Sequence, residues 1–568
     1  MDLETSKGFG PSKITESSIF SDPLNIFESS EVDEDIVSGR SVVFRPLSEN
    51  NEGPYEFSLD PQGEQQYLQL NSVRLGGQCR ILRANGEDLK DIDDLSIVNM
   101  FPSSLFQGIE TKFNNTIITD LTSNLSHYQA YIQSICSYNT SSQKTHMQGQ
   151  MLIPDDAGKF DYLTYDSTII KAMDDRWNES NIFQTFGPET RQAVLDSVNK
   201  TESSESITVD AQGRFVMPKP KPTGSGSGSG GQSDQGGQGG QSDTESISST
   251  LTFDVTDLKE INKYTKKDAM KLIEQYIAVA TNSSGVNSGY LNRRKIIAKS
   301  KMFDFYIPLC SDIFHSDKFL HPSISVKLLL RRSPDGFCLL SDSTNAFRIE
   351  LSNLKLHTRY VRINDAIVKK HKMLISSEKP MRYPITRTSM KSFNIPQNNA
   401  SMYISGMFSG ILPKTIIIGM VLNEAFYGKQ NKNPFNFQHF NLKSAHLRVN
   451  GEIVPSDPIS PDFNKNLFMR EYLEFYRNIG IDISDASGNL ITPAQYKNGS
   501  FFMAFDLSGE QCNQLHRHKT MTGNIDFEGN FQVALPNTIT LVVFSSTDAE
   551  ICIGPKGPYV DYRVVKSG

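Results

Sequence analysis

The sequence lacks a long hydrophobic run, a recognisable leader and any paired-cysteine motif. A transmembrane helix needs about 20 apolar residues, and the most apolar stretch, Thr415–Leu422, is far shorter. We therefore predict no membrane span. The N-terminus is acidic and has no apolar h-region, so no secretory signal is expected. The six cysteines are dispersed and form no CxxC pair, which predicts core thiols of a protein made in a reducing compartment, the cytoplasm or nucleus of a host.

Catalytic and metal-binding motifs are also lacking. The sequence contains no GxSxG elbow, no HExxH and no dinucleotide-binding fingerprint. Two carboxylate pairs, Asp93-Asp94 and Asp155-Asp156, stand among turn residues, where aspartate favours the local backbone. His516 and His518 flank an arginine and precede a lysine, which opposes a cation at that pair. We predict no enzyme, no cofactor and no metal site.

Basic charge is not in excess. Lysine and arginine number 57 against 64 acidic residues, a net charge of −7. A protein that coats nucleic acid needs clustered positive charge, so no specific nucleic-acid binding is predicted. The acid is concentrated at the start: residues 1–40 hold nine acidic residues against Lys7, Lys13 and Arg40, a net charge of −6. We interpret this segment as a solvated acidic arm.

What the sequence does contain is short β-rich runs separated by polar, turn-rich connections. One series runs from Ser41–Pro46 to Phe347–Ile363, and a second begins near Tyr383. Asn85-Gly86 and Asn450-Gly451 are tight-turn signals between such runs. Helical periodicity is limited, with the clearest instance at Lys266–Thr281. The pattern predicts an all-β protein with two β-sandwiches in tandem and short helices in the loops.

One tract, Thr223–Ser246, holds no aromatic or aliphatic residue and is rich in Gly and Ser. Such a tract cannot repay its ordering entropy, which predicts a flexible, disordered linker. No Gly-Lys-Ser/Thr follows it, as a phosphate-binding loop would require.

The second half carries an ordered series of short motifs. They include Leu412-Pro413 before the apolar strand that contains Gly419, the NEAFYG segment with Phe426 and Gly428, and the NPFNF segment Asn433-Pro434-Phe435-Asn436-Phe437. The series continues with Asn450-Gly451, Pro461-Asp462-Phe463 and Phe505-Asp506. Together with matching segments upstream, the series resembles the major capsid proteins of Polinton (Maverick) elements and adintoviruses. The resemblance covers most of residues 40–160 and 300–562.

The resemblance implies a double jelly roll, two eight-stranded sandwiches in one chain. It also implies a homotrimer that forms a pseudo-hexagonal capsomer, contacts between capsomers in an icosahedral shell around a DNA genome, and a penton or minor capsid protein as partner. The implied location is the virion capsid. The residues named above are then structural positions of the family. From its own residues, the NPFNF segment is expected to be a rigid turn that presents two aromatic rings, and an ordinary hydrophobic anchor loop suits it as well.

These observations define the domains that we predict. Residues 1–40 are the acidic arm, 41–372 the first jelly roll, 373–562 the second and 563–568 a C-terminal tail. The first jelly roll includes an insert at 174–301, to which the resemblance does not extend, with the disordered linker at 223–246 inside it. We expect the insert to be an enlarged outward-facing loop.

Two alternatives remain open from the sequence. The arm contains apolar residues spaced through acid, Ile19, Phe20, Leu24, Ile26 and Phe27, which suits an assembly arm that orders on binding its neighbours; disorder or proteolytic removal suits the same composition. The whole chain could also be a carbohydrate- or receptor-binding β-sandwich, such as a spike or lectin-like protein, because jelly rolls serve both purposes.

Overall fold

The computed structural model describes residues 35–48, 52–90, 93–119, 125–163, 287–343, 345–481, 489–508 and 520–562, and the backbone of one short hairpin near residue 210. Several predictions lie outside these residues. They are the arm up to residue 34, the linker at 223–246, the helix at 266–281, the His516/His518 pair and the tail at 563–568.

The first half of the chain contains thirteen strands within the described ranges. They are β1 Ile36–Phe44, β2 Tyr55–Leu59, β3 Gln66–Arg83, β4 Ser96–Ile97, β5 Phe106–Phe113, β6 Thr116–Ile117, β7 Thr208–Val209, β8 Phe215–Val216, β9 Phe303–Pro308, β10 Phe319–Leu320, β11 Val326–Arg332, β12 Leu339–Leu340 and β13 Phe347–Ile363. One sheet has the order β1-β13-β3, with β9 and β10 both paired to β3, and the other has the order β2-β11-β5-β6. Strands β4 and β12 pair with each other, as do β7 and β8.

The second half contains nine strands in the residues that are described. They are β14 Met381–Ile395, β15 Ser401–Ile411, β16 Thr415–Leu422, β17 Leu442–Val449, β18 Glu452–Ile459, β19 Phe502–Asp506, β20 Thr522–Phe531, β21 Ile539–Gly554 and β22 Gly557–Asp561. One sheet has the order β14-β21-β16-β19, with β22 added on β21, and the other has the order β15-β20-β17-β18.

Both halves share one strand order. If the main strands of each half are counted from one to eight, with β9 and β10 sharing the sixth place, the sheets read 1-8-3-6 and 2-7-4-5 in each. All pairings between these strands are antiparallel. Two four-stranded antiparallel sheets in this order are a jelly roll. The predicted all-β, double jelly-roll fold class is confirmed.

Nine α-helices lie in the connections of the described chain. They are α1 Phe101–Ser104, α2 Ser126–Ser137, α3 Thr140–Lys144, α4 Ser288–Ile297, α5 Asp335–Cys338, α6 Asp365–Ser376, α7 Asn423–Phe426, α8 Met469–Asn478 and α9 Pro493–Lys497. In each half, helices cluster between the fifth and sixth strands: α2 to α4 in the first, α8 and α9 in the second. Helix α6 joins β13 to β14 and therefore connects the two jelly rolls.

Residue patterns explain which strands are central. In β11, Val326, Leu328 and Leu330 are buried and alternate with partly exposed residues, as in a strand with one face on the core. In β16, every residue from Ile416 to Val421 is buried. A continuous apolar run suits a strand that is covered on both faces. One hydrophobic core extends through both jelly rolls.

Two predicted boundaries differ from the observed elements. Strand β1 begins at Ile36 and pairs with Ile363, so the last residues assigned to the acidic arm belong to the first sheet. Helix α4, at the end of the predicted insert, is packed in the first core, where Tyr290 and Ile297 are buried. The polar sequence of α4 does not indicate this packing, because its largest buried side chain is that of an arginine, Arg293.

Candidate functional site: the joint between the two jelly rolls

The connection between β16 and β17 of the second jelly roll inserts its NPFNF segment against helix α2 of the first. The turn is built locally: the Asn433 side-chain oxygen accepts a hydrogen bond from the Phe435 backbone N–H (3.0 Å), and Pro434 fixes the backbone between them. Asn433, Phe435 and Phe437 are completely buried. We call this contact region the joint.

Aromatic rings form the apolar part of the joint. The Phe435 ring stacks on Tyr131 of α2, with centroids 4.0 Å apart and planes 7° apart. Tyr128, one turn earlier, stacks on Phe426 of α7 at 5.6 Å, and its hydroxyl donates to the Pro434 carbonyl (3.0 Å). Phe337 of α5 meets Phe435 edge-on at 5.9 Å. Offset and edge-on pairs of this kind add to the energy of burial alone.

A buried polar network forms the other part and is centred on Asp155. Its carboxylate accepts from the Arg293 guanidinium (2.6 Å), from the Asn287 amide (2.7 Å) and from the Asn433 amide (3.0 Å) of the second jelly roll. Arg293 is fully buried and also donates to the Ile97 and Ile153 carbonyls. A buried charge pair needs this degree of hydrogen bonding to offset its desolvation.

A second aspartate extends the network toward the surface. The Asp161 carboxylate accepts from the Asn433 backbone N–H (2.7 Å) and from the Asn436 amide (2.7 Å). Both asparagines of the NPFNF segment are thus held by carboxylates of the first jelly roll. Because every contact is a directional hydrogen bond, the network fixes how the two jelly rolls are oriented.

Close approaches require glycine at three positions of the joint. A Cβ atom on Gly419 would lie 2.4 Å from a Phe437 ring carbon. Gly428 has a φ of 81°, and a Cβ there would lie 2.8 Å from the Phe337 backbone nitrogen. On the opposite side, a Cβ on Gly336 would lie 2.6 Å from the Gly428 carbonyl oxygen. The two jelly rolls therefore touch backbone to backbone where Gly336 meets Gly428.

Burial keeps the tyrosines, the histidine and the thiol of helix α2 neutral at the joint. It raises the pKa of the Tyr128 and Tyr131 hydroxyls well above their usual range and that of the Cys136 thiol to about 12. It lowers the pKa of His127, next to Tyr128, to about 3. At neutral pH these groups act as hydrogen-bonding and packing groups. The arrangement suits rigid attachment of one jelly roll to the other.

The structure brings together only some of the residues singled out from the sequence. Gly419, Phe426, Gly428, Asn433, Pro434, Phe435 and Phe437 all lie at or beside the joint. Leu412 and Pro413 are buried in the turn before β16, at the far end of the second jelly roll. At that end Asn450 and Gly451 form an exposed turn, both with positive φ.

The remaining positions lie elsewhere in the second jelly roll. Pro461 and Phe463 are buried in the connection before α8, where the Phe463 ring stacks on His439 at 3.9 Å. Asp462 pairs with Lys465 (3.1 Å). Phe505 is buried in β19, and the Asp506 carboxylate accepts from the Ser508 backbone N–H. The arm residues Ile19, Phe20, Leu24, Ile26 and Phe27 lie outside the described residues.

Sequence reasoning missed the first jelly roll's side of the joint. The sequence predicts Asp155 as a turn residue that bonds to nearby backbone, yet it is buried and pairs with Arg293, 138 residues away. Likewise Asp93 pairs with Arg83 (2.5 Å). The apolar spacing of Tyr128, Ile132 and Ile135 was the available signal for the buried face of α2; no local pattern identifies the aspartates.

One group of possible metal ligands lies within the part of the chain that is described. Glu550, Cys552 and Asp561 offer ligand atoms within 4.8 Å of one another. The Arg382 guanidinium lies among them, 2.9 Å from Glu550, 3.6 Å from Asp561 and 3.7 Å from the Cys552 sulfur. The guanidinium therefore supplies positive charge to this cluster.

Two further features of the described chain bear on the sequence predictions. Its helices include none that is long and apolar enough to cross a membrane. The five cysteines it contains, Cys79, Cys136, Cys310, Cys338 and Cys552, are free thiols.

Comparison with known proteins finds a similar fold in solved viral structures. The chain aligns over 97% of its length with 94% of a chain in the cryo-EM structure of the Sputnik virophage, with a TM-score of 0.51 and 9% identity. The crystal structure of the mavirus major capsid protein aligns with a TM-score of 0.45 and 10% identity, over 99% of this chain and 97% of that one. At 9% identity, the similarity to the Sputnik chain establishes the fold alone.

By sequence, the chain is similar to an uncharacterized protein of Caenorhabditis elegans. The two are 23% identical over 242 residues, which are 42% of this chain and 58% of the relative. The match therefore spans little more than half the length of that relative. No family model matches the chain.

Proposed function

We propose that this chain is a major capsid protein that trimerises into pseudo-hexagonal capsomers and builds an icosahedral shell around a DNA genome. Among capsid proteins, its motif series resembles those of Polinton elements and adintoviruses. The observation that carries the proposal is the repeated jelly roll, fixed by a buried joint and matched in fold over 97% of the chain by a virophage chain.

The joint supports the proposal because a subunit that repeats throughout a closed shell must hold its two jelly rolls rigidly. Three copies of two jelly rolls give six similar units around a three-fold axis, and closed symmetry then depends on one fixed angle between the two units of each chain. The Asp155 network and the Tyr131–Phe435 stack fix that angle. Loose jelly rolls joined by a linker would vary in angle and would not tile.

The same proposal defines location and partners. The chain would reside in the capsid of a virion, with copies of itself as its main partners and a penton or minor capsid protein at special positions of the shell. Its role would be structural and not enzymatic. Contacts between copies are expected to bury on the order of 2,000 Å² or more, as obligate interfaces do.

The mass and outline of the purified full-length chain test the proposal. Light scattering after size exclusion should give three times the chain mass of 63.6 kDa, about 191 kDa. Negative-stain images should show particles with a hexagonal outline. A homogeneous 63.6 kDa monomer at micromolar concentration, with no larger particles, would overturn the proposal.

The runner-up is a carbohydrate- or receptor-binding β-sandwich protein. The observation that favours it is an open cavity of about 820 Å³ beside the joint, lined by amides such as Asn436, Gln438 and Asn441 and by the half-exposed Tyr162. Amides with an exposed aromatic ring suit sugar hydroxyls and ring faces. This function predicts a monomer whose melting temperature rises with an added glycan, whereas the capsid proposal predicts a trimer without that response.

A further inference from the structure

Helix α6, which connects the two jelly rolls, has an apolar surface that the described chain leaves largely uncovered. Val368 is its only buried residue, whereas Met373, Leu374 and Ile375 are 72%, 38% and 37% exposed. Leu374, Ile375 and Ile367 line a groove of about 480 Å³ between α6 and the start of β14. We call this the α6 groove.

Basic residues surround the groove. Lys318, Lys379 and Arg382 line it together with two histidines, His321 and His371, and Asp35 is the only carboxylate among its lining residues. The solvent side of α6 adds Lys369, Lys370 and Lys372, all exposed. Two of these cations already have partners, because Lys372 pairs with Glu64 (2.7 Å) and Arg382 with Glu550. The surface is nevertheless both apolar and positively charged.

The described chain begins at this groove. Asp35 and Ile36 are themselves lining residues, and the Asp35 carbonyl accepts from the Asn364 backbone N–H at the start of α6 (3.0 Å). Ile36 is also 37% exposed. The 34 residues ahead of Asp35 therefore leave the described structure at the edge of the α6 groove.

The composition of those residues complements that of the groove. Between Ser17 and Glu34 there are five carboxylates and no lysine or arginine. The same stretch contains the apolar residues Ile19, Phe20, Leu24, Ile26, Phe27 and Val32. An acidic segment with large apolar side chains complements a basic surface with an open apolar groove.

We propose that the acidic segment Ser17–Glu34 docks in cis on the α6 groove, its apolar side chains against Leu374 and Ile375 and its carboxylates against the lysines. The short tether, the stretch of chain between the apolar side chains and Asp35, favours docking on the same chain over docking on a neighbouring copy. From Phe27 to Asp35 an extended chain spans at most about 29 Å, which exceeds the length of α6, about 18 Å. So short a tether gives a millimolar effective concentration, far above that of a second copy in solution.

Disulfide trapping in the full-length chain tests the proposal. A Phe27→Cys, Leu374→Cys variant under mild oxidation should form a link within one chain, seen as a monomer-mass band on non-reducing gels and as a linked peptide by mass spectrometry. The matched control is Phe27→Cys with Val533→Cys, since Val533 is apolar and 67% exposed. It lies beyond the opposite end of β14, about 50 Å away along that strand, out of the tether's reach.

Charge dependence gives an independent readout. The yield of the 27–374 link should fall several-fold in Lys369→Glu/Lys370→Glu, and also between 50 mM and 1 M NaCl, because exposed charges are screened. The same pair of changes at exposed lysines elsewhere, Lys144→Glu/Lys443→Glu, should leave the yield unchanged.

Three results would overturn the proposal. They are an equal yield for the Val533 control, a link found only in a band of twice the chain mass, and a yield that neither salt nor the α6 charge reversal changes. The doubled band would show that a neighbouring chain's arm is the occupant. None of these outcomes depends on whether the chain builds a shell, so they are separate from the test of the capsid proposal.

Discussion

The two jelly rolls have the same strand order but close the end at which they meet with different chemistry. In the first, the connection between the fifth and sixth strands brings α4 into the core, where Arg293, Asp155 and Asn287 form a hydrogen-bonded network. In the second, the corresponding connection supplies α8 and α9, which pack by aromatic rings. There Tyr496 meets Phe501 at 5.2 Å and Phe475 at 5.9 Å.

The difference shows that topology does not dictate how a connection is packed. The sheets need alternating apolar residues, and both halves provide them. The connections need only to exclude water and to satisfy their backbone. Removing one member of a charge network leaves the others without partners, so most of its stabilisation is lost at once. An aromatic cluster, in contrast, tolerates a change in the shape of one side chain. The two ends should therefore respond differently to substitution, which the following predictions examine.

Among the single substitutions, loss of the buried guanidinium should have the largest effect. Arg293→Met leaves the Asp155 carboxylate buried without its charge partner, and we expect a loss of about 3–5 kcal/mol in the free energy of unfolding. Phe475→Leu, a cavity-forming change at a fully buried site of the second jelly roll, should cost about 1–2 kcal/mol. Urea unfolding followed by far-UV circular dichroism compares the two.

A double variant separates the unpaired charge from simple loss of packing. Arg293→Met with Asp155→Asn removes both charges and keeps an acceptor for Asn433, so it should recover part of the stability that Arg293→Met loses. If Arg293→Met costs no more than Phe475→Leu, the two ends do not differ in the way that we infer.

Overpacking at the joint should come next. Gly419→Ala places a methyl group 2.4 Å from Phe437 and 2.9 Å from Phe502, so the NPFNF turn must shift, at a cost of about 1–3 kcal/mol. Adding Phe437→Leu should restore part of the loss. Gly554→Ala is the control, because its nearest contact would be Pro380 at 4.0 Å. A melting temperature equally lowered by both alanines would contradict the close approach at the joint.

Acidification should destabilise both halves, through the buried His127 in the first and the partly buried His439 in the second. Burial lowers the pKa of His127 in the first jelly roll to about 3 and, with help from Lys497, that of His439 in the second to about 4. An unfolded histidine takes up its proton near pH 6.5. Stability is therefore full above pH 6.5 and falls as the pH drops from there toward 4, by about 1.4 kcal/mol per pH unit for each histidine.

Single asparagine variants assign that slope. His127→Asn and His439→Asn should each reduce the dependence of the melting temperature on pH between 6.5 and 4.5, and the double variant should reduce it most. An unchanged slope in both single variants would show that groups other than these two rings govern acid stability.

The sequence predicted the strands and singled out the NPFNF turn, although not its contact with the first jelly roll, and it did so for a physical reason. Alternation in β11 and the apolar run of β16 are local patterns with a period that can be counted. The NPFNF turn is local too, since Asn433 bonds to Phe435 two residues on.

The partners of that turn could not be predicted from the sequence. Asn433 meets Asp155 across 278 residues of sequence, and Tyr131 meets Phe435 across a similar separation. Nothing local distinguishes a turn aspartate from one that accepts a buried arginine. For the same reason the sequence predicts an outward loop where α4 lies, although Arg293 is among the most buried side chains of the described residues.

The cap of α9 gives the smallest expected effect, and its comparison with the cap of α4 is the finest comparison of the two ends. Helix α9 begins with a capping box. The Thr492 hydroxyl accepts from the Gln495 backbone N–H, and the Gln495 side chain accepts from the Thr492 backbone N–H. Thr492→Ala should cost about 1 kcal/mol, and Thr492→Ser close to nothing. Asn287→Ala, at the cap of α4, should cost about 1–2 kcal/mol more, because the Asn287 amide also donates to Asp155 and to the Lys159 carbonyl. Equal shifts in the urea midpoint for the two alanines would mean that the Asp155 network contributes nothing beyond an ordinary cap.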